Sequence, residues 1–112
     1  MARRATKQDK LDLTRLFTQE LEINDLTYIV KKLNAEDLIQ IQSTIKDNQP
    51  TMDYFISLVY FSVIDEDNKP FFTKEEIHNL NADAFNKFLT AIVELNGLTQ
   101  EAINKSRKQI KN

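Results

Sequence analysis

At 112 residues the chain has room for one domain with a single core. Hydrophobic residues make up 41% and charged residues 29%, a balance that excludes a disordered chain, and the net charge of −2 leaves no basic field to draw nucleic acid or a membrane surface. Cysteine is absent, which removes disulfides and thiol chemistry and fits a reducing compartment, while one glycine and two prolines favour helices over a many-turned β fold.

Residues 1–10 are polar and basic and are expected to fray. Met1-Ala-Arg-Arg-Ala-Thr-Lys7 lacks the apolar centre of a signal peptide. No apolar run in the chain approaches the ~20 residues that span a bilayer. Leu11, Leu13, Leu16, Phe17 and Leu21 follow at mixed spacing, and a short helix is expected near residues 9–20. Residues 26–33, Leu-Thr-Tyr-Ile-Val-Lys-Lys-Leu, are rich in β-branched and aromatic types. They fit one short strand or hairpin, or the continuation of a helix, and periodicity does not separate the two over so short a run.

Asn34 is a good N-cap, with Glu36 and Asp37 in the first turn, where the helix dipole favours acids. Leu38, Ile41 and Ile45 line one face, with Ile39 beside them. Asp47-Asn48-Gln49-Pro50 ends this helix. The next starts near Thr51 and runs to Ile64. Met52, Phe55, Ile56, Val59 and Val63 form its stripe, and Leu58, Tyr60 and Phe61 make it apolar around most of its circumference, as a central buried helix is.

An acidic turn, Asp65 to Pro70, then leads through Phe71 and Phe72 to Thr73, with Glu76 three positions on. This spacing predicts a capping box, the Thr73 hydroxyl accepting from the Glu76 N–H and the Glu76 carboxylate from the Thr73 N–H. Asn81 caps a further helix, in which Phe85, Phe88, Leu89, Ile92 and Val93 share a face. Phe85, Phe88, Leu89 and Ile92 are expected to be buried, packed against Phe55, Ile56 and Val59. Asn96-Gly97 ends this helix, with Gly97 at the left-handed position. Thr99 caps a last helix, Gln100 to about Lys108, whose apolar face is thin, and residues 109–112 are expected to fray. The reading is a mainly α fold: a single all-α domain over residues 1–112, with about five to six helices and one short strand or hairpin near 26–33.

The 65–76 segment resembles a calcium loop at first sight. Asp65, Asp67 and Glu76 occupy positions 1, 3 and 12, but Lys69 stands at ligand position 5 and Pro70 at position 6, where glycine supplies a positive φ. No metal is expected there. His78 is the single histidine, and without cysteine or a second histidine it cannot form the usual zinc site. Ser43, Ser57, Ser62 and Ser106 lie in helical patterns, none on a glycine-flanked strained turn that would expose a nucleophile. With Gly97 as the sole glycine, no glycine-rich phosphate loop can form. Acid pairs such as Glu75/Glu76 read as solvated or capping carboxylates. No catalytic residue, metal ligand or cofactor site is assigned, and the chain is not expected to be an enzyme.

Two surfaces remain. Arg3, Arg4, Lys7 and Lys10 at one end, and Lys105, Arg107, Lys108 and Lys111 at the other, are basic arms that would suit a phosphate backbone or keep the chain ends soluble. Overall acidity and the lack of aromatic interleaving argue against specific nucleic-acid binding. Seven Phe and three Tyr exceed what a thin helical core readily hides. Tyr54, Tyr60, Phe71 and Phe72 are therefore the candidate partner-binding residues, since an exposed aromatic patch is usually an interface.

The run Val63-Ile-Asp-Glu-Asp-Asn-Lys-Pro-Phe-Phe-Thr-Lys-Glu-Glu-Ile77 resembles the tail assembly chaperones of long-tailed, siphovirus-type bacteriophages. In that family a helix leads into an acidic D-x-D-G-K-P-x-F turn, then a T/S-x-E-E helix start and an amphipathic helix ending in Asn-Gly. Asn68 stands where the family often has glycine, a change that left-handed geometry tolerates. Tyr28-Ile-Val-Lys-Lys-Leu-Asn-Ala-Glu-Asp37 is similar to the family's short strand and capped helix, and the likeness covers roughly residues 26–100. It implies a non-catalytic protein that self-associates and binds the tape-measure protein. The protein would keep that long helical polypeptide soluble, help recruit tail-tube subunits in the host cytoplasm, and be absent from the mature virion. Members of the family commonly make a second, longer form by ribosomal frameshifting. The alternative is a small nucleic-acid-associated or regulatory phage or bacterial protein that uses its basic ends.

Overall fold

Asn24 and Asp25 have φ of 53° and 65° and form a two-residue turn with both positions left-handed. This is the geometry that matches the right-handed twist of a hairpin. The strands on either side, β1 (Thr18–Ile23) and β2 (Leu26–Lys31), pair antiparallel from Ile23↔Leu26 to Thr18↔Lys31. A third strand, β3 (Val63–Ile64), joins the other side of β2 through Val30↔Val63 and Ile29↔Ile64, giving the order β1-β2-β3. Beyond β3, Pro70 bridges Ile64 and the Phe71 N–H donates to the Val63 carbonyl at 3.0 Å. Proline has no N–H to offer a further strand, so this edge is blunted.

The computed structural model describes residues 2–97. Helical segments among them are α1, a single turn over Leu11–Thr14, then α2 (Ala35–Gln42), α3 (Met52–Ser62), α4 (Lys74–His78) and α5 (Ala82–Leu95). The anticipated capping box at Thr73 forms, and the Asn34 cap proves to be a second one. The Asn34 side chain accepts from the Asp37 N–H at 2.8 Å and the Asp37 carboxylate accepts from the Asn34 N–H at 3.3 Å. Thr73 and Glu76 exchange the corresponding bonds at 3.1 and 2.9 Å. Asn81 caps α5 through the Ala84 N–H, and Gly97 follows that helix with φ of 66°. The last expected helix, Gln100 to about Lys108, and the tail 109–112 lie outside the described residues.

α3 is central, as its apolar circumference predicts: Ile56, Ser57, Leu58, Val59 and Ser62 are all buried. The core joins them to Ile23 and Val30 of the sheet, Leu33, Ile41, Val63, Ile77, Phe88 and Ile92. Phe88 and Ile92 are fully enclosed, whereas Phe85, Leu89 and Phe55 are partly buried at the margin of the same cluster. Phe88 also meets the sheet, its ring edge-on to Tyr28 at 5.3 Å.

The fold is therefore a small mixed α/β fold, and the mainly α, all-α expectation of about five to six helices is corrected. Four helices of five or more residues and one four-residue turn accompany a three-stranded antiparallel sheet among the described residues. The helix expected near 9–20 shrinks to Leu11–Thr14, and its last three residues begin β1, where Glu20 and Glu22 face water while Leu21 and Ile23 turn to the core. That alternation has period two, the signature of a half-buried strand. Residues 26–31 are the strand that periodicity left undecided. The central helix stops at Ser62 instead of Ile64, because Val63 and Ile64, both β-branched, extend to pair with β2. Scarcity of glycine misled the class reading. Asn24, Asp25, Asp47, Asn48 and Asn68 all adopt positive φ, so Asn and Asp make the turns that glycine usually makes.

Candidate functional site: an aromatic depression beside the acidic turn

Local bonding of the acidic turn fixes the site. The Asp65 Oδ1 accepts from the N–H of Asp67 at 2.8 Å and of Lys69 at 3.0 Å, and the Asp65 N–H donates to the Lys69 carbonyl at 2.8 Å. Asn68 takes the left-handed position with φ of 63°. Asp65 is thus a turn-former whose carboxylate is engaged by the backbone, and Glu76 is occupied as a cap. Among the described residues, no three His, Cys, Asp or Glu side chains gather closely enough to hold a metal ion.

The turn delivers Phe71 and Phe72 to the end of α3. Tyr60, Pro70, Phe71, Phe72, Thr73 and Lys74 line a shallow depression of about 320 Å³. Phe71 is half exposed, and Phe72 is partly buried against the core. Their rings meet edge-on at 4.9 Å, and Tyr28 of β2 lies beneath both, at 5.7 Å from Phe71 and 6.4 Å from Phe72. Phe72 and Tyr28 each contact the buried Phe88. The Lys74 ammonium sits 5.3 Å from the centre of the Tyr60 ring, within the range where a cation is drawn to an aromatic face. The result is a dish of mixed polarity with an aromatic floor and, among the described residues, the Lys74 cation on its rim.

The structure thus brings together Tyr60, Phe71 and Phe72, and Tyr54 does not join them. Tyr54 pairs edge-on with Phe55 at 5.3 Å, and burial raises the pKa of its phenol. His78 is exposed at the end of α4. Of the N-terminal cations, Arg3 makes two bonds of 2.8 Å to the Asp9 carboxylate, which also accepts from the Thr6 N–H at 2.6 Å. Arg3, and then Thr6, lower the Asp9 pKa to about 2. That pairing commits Arg3 to a local turn. The C-terminal cations Lys105, Arg107, Lys108 and Lys111 lie outside the described residues.

Sequence reasoning missed a second concavity. Residues 13–17 and 31–36, with Asn68, line a groove of about 690 Å³. Leu13 is 89% exposed, Leu16 50% and Phe17 51%, so three large apolar side chains of one short segment face solvent. Their mixed spacing was the available signal, since a segment whose apolar residues fit no single face cannot bury them all.

The chain matches no family model, no curated protein and no solved structure. The resemblance drawn from the strand, turn and helix sequence of residues 63–77 therefore has no counterpart among these comparisons. No helix among the described residues is long and apolar enough to cross a membrane.

Proposed function

We propose that the protein is a non-catalytic assembly chaperone of the phage-tail type, which binds apolar faces of the long helical tape-measure protein. It would keep that polypeptide soluble, self-associate, help recruit tail-tube subunits in the host cytoplasm, and leave before the virion is complete. The observation that carries the reading is the exposed aromatic surface built by the very segment on which the resemblance rests. Tyr60, Phe71 and Phe72 form the aromatic part of a preset dish, with Phe71 half exposed at its rim. Rigid aromatic residues at a concave, water-excluding surface are the usual anchors of protein interfaces. The Asn68 turn supports the likeness further, because it adopts the left-handed geometry that glycine supplies in the family.

Co-expression with a tape-measure protein tests the reading. The partner should remain soluble in complex, and the complex should survive ~0.5 M salt, since apolar burial is insensitive to screening. Phe71→Ala with Tyr60→Ala should release it. Absence of a complex, together with DNA binding that weakens steeply as salt rises, would replace this reading with the nucleic-acid alternative.

A further inference from the structure

Among the described residues, one edge of the sheet is open. The Lys32 N–H donates to the Phe17 carbonyl at 2.8 Å, which makes Phe17 and Lys32 a hydrogen-bonded pair of the antiparallel ladder. With the register of β1 on β2, the backbone groups of Gln19, Leu21 and Ile23 then point to β2, and those of Thr18, Glu20 and Glu22 point outward. No strand pairs with β1 on that side among the described residues. The side chains sort by the same alternation. Glu20 and Glu22 lie on one face, exposed and in no ion pair among the described residues. On the other face Leu21 and Ile23 join the core, and Phe17 continues them, half exposed.

We propose that β1 accepts an extended segment that alternates basic and apolar residues, adding it as an outer strand of the sheet. The outward N–H and C=O groups of Thr18, Glu20 and Glu22 supply the ladder, and main-chain bonding of this kind gives affinity without demanding sequence. Lys or Arg at alternate positions meets Glu20 and Glu22, an opposite-charge cross-strand arrangement. The intervening apolar side chains cover Phe17 and Leu21. A second copy of β1 is the poorer occupant: the two antiparallel registers that overlap most of the strand, centred on Glu20 or on Leu21, set glutamate against glutamate, which is destabilising. This site is distinct from the aromatic depression and does not depend on the chaperone reading.

The test uses the full-length chain, isotope-labelled for NMR, and a short peptide alternating lysine and valine. A peptide of the same composition with lysines and valines in separate blocks is the control. The alternating peptide should slow amide exchange at Thr18, Glu20 and Glu22 by at least ~10-fold, and should bind at least ~10-fold more tightly than the block peptide. Glu20→Lys with Glu22→Lys should abolish this binding and confer binding of a peptide alternating glutamate and valine. Glu20→Gln with Glu22→Gln, which keeps side-chain shape, should weaken the lysine peptide without that gain. Unchanged exchange at the three amides, equal binding of the block peptide, or indifference to charge reversal would overturn the proposal. Protection of the three amides in the free protein would also overturn it, by showing that a second copy or another part of the chain already occupies the edge.

Discussion

The Lys31 ammonium of β2 lies 2.9 Å from the Asp37 carboxylate of α2, and both side chains are almost enclosed, at 12% and 11% exposure. The same carboxylate oxygen accepts from the Asn34 N–H. One acid therefore caps a helix and ties it to the sheet. Removing the lysine alone leaves that acid without its countercharge in a poorly hydrated place, and losing one member of a buried pair costs ~3–5 kcal/mol. Lys31→Ala should accordingly lower stability by about 3 kcal/mol in urea unfolding. A double-mutant cycle with Asp37→Ala should show coupling above ~1 kcal/mol, and additive losses would mean the pair is merely adjacent.

Phe88 and Phe71 separate stability from binding. Phe88 is 1% exposed and Phe71 50%. Phe88→Ala should cost about 3–5 kcal/mol, as for other enclosed phenylalanines. Phe71→Ala should cost under ~1 kcal/mol and leave a folded chain in which the aromatic dish alone is damaged. A loss at Phe71 equal to that at Phe88 would show that the depression belongs to the core.

Ser62, the last residue of α3, is wholly buried, and its hydroxyl has no hydrogen-bond partner among the described residues. An unsatisfied buried hydroxyl costs ~1–3 kcal/mol, and alanine would remove it with little loss of volume. Ser62→Ala should therefore raise stability by about 1 kcal/mol in the same unfolding measurement. A destabilised variant would mean that the hydroxyl is satisfied in solution.

Asp9 gives the pH dependence a definite sign. Its folded pKa is lowered to about 2, first by the bond from Arg3 and then by Thr6. A group depressed in this way contributes to stability above its ordinary value of ~4, and the contribution is lost as pH falls toward the folded value. The site is exposed, so the effect is confined to the N-terminal turn. Carboxyl NMR should place the Asp9 midpoint near 2, and Arg3→Ala should return it toward the ordinary range while leaving the signals of Phe88 and Ile92 unmoved.

Short-range chemistry was legible and long-range pairing was not. Asn34 with Asp37, Thr73 with Glu76, and Asn81 with Ala84 are bonds between residues three apart, so cap and partner stand together in the sequence. The stripe of α5 was visible for the same reason. In contrast, Val63 and Ile64 look like the end of a helix until β2 is present to pair with them. The Asn96 side chain accepts from the Leu33 N–H at 2.8 Å while donating to the Ile92 carbonyl at 2.8 Å, yet no local pattern joins residues 63 positions apart. Of the aromatic candidates, Tyr60, Phe71 and Phe72 converge because a hairpin between Val63 and Phe71 folds the turn back. Composition alone marks Tyr54 as a candidate, and composition carries no direction.

Tyr28 stands directly across the ladder from Leu21 of β1, while its ring supports Phe71 and Phe72. The same residue is thus part of the pairing behind the open edge and part of the floor of the aromatic dish. A shift of β2 along its own axis moves both at once. Thermodynamic linkage makes any resulting communication symmetric: whatever factor a strand at the edge imposes on affinity in the dish, a ligand in the dish must impose on the strand. Two occupants that never touch would then sense each other through one ring.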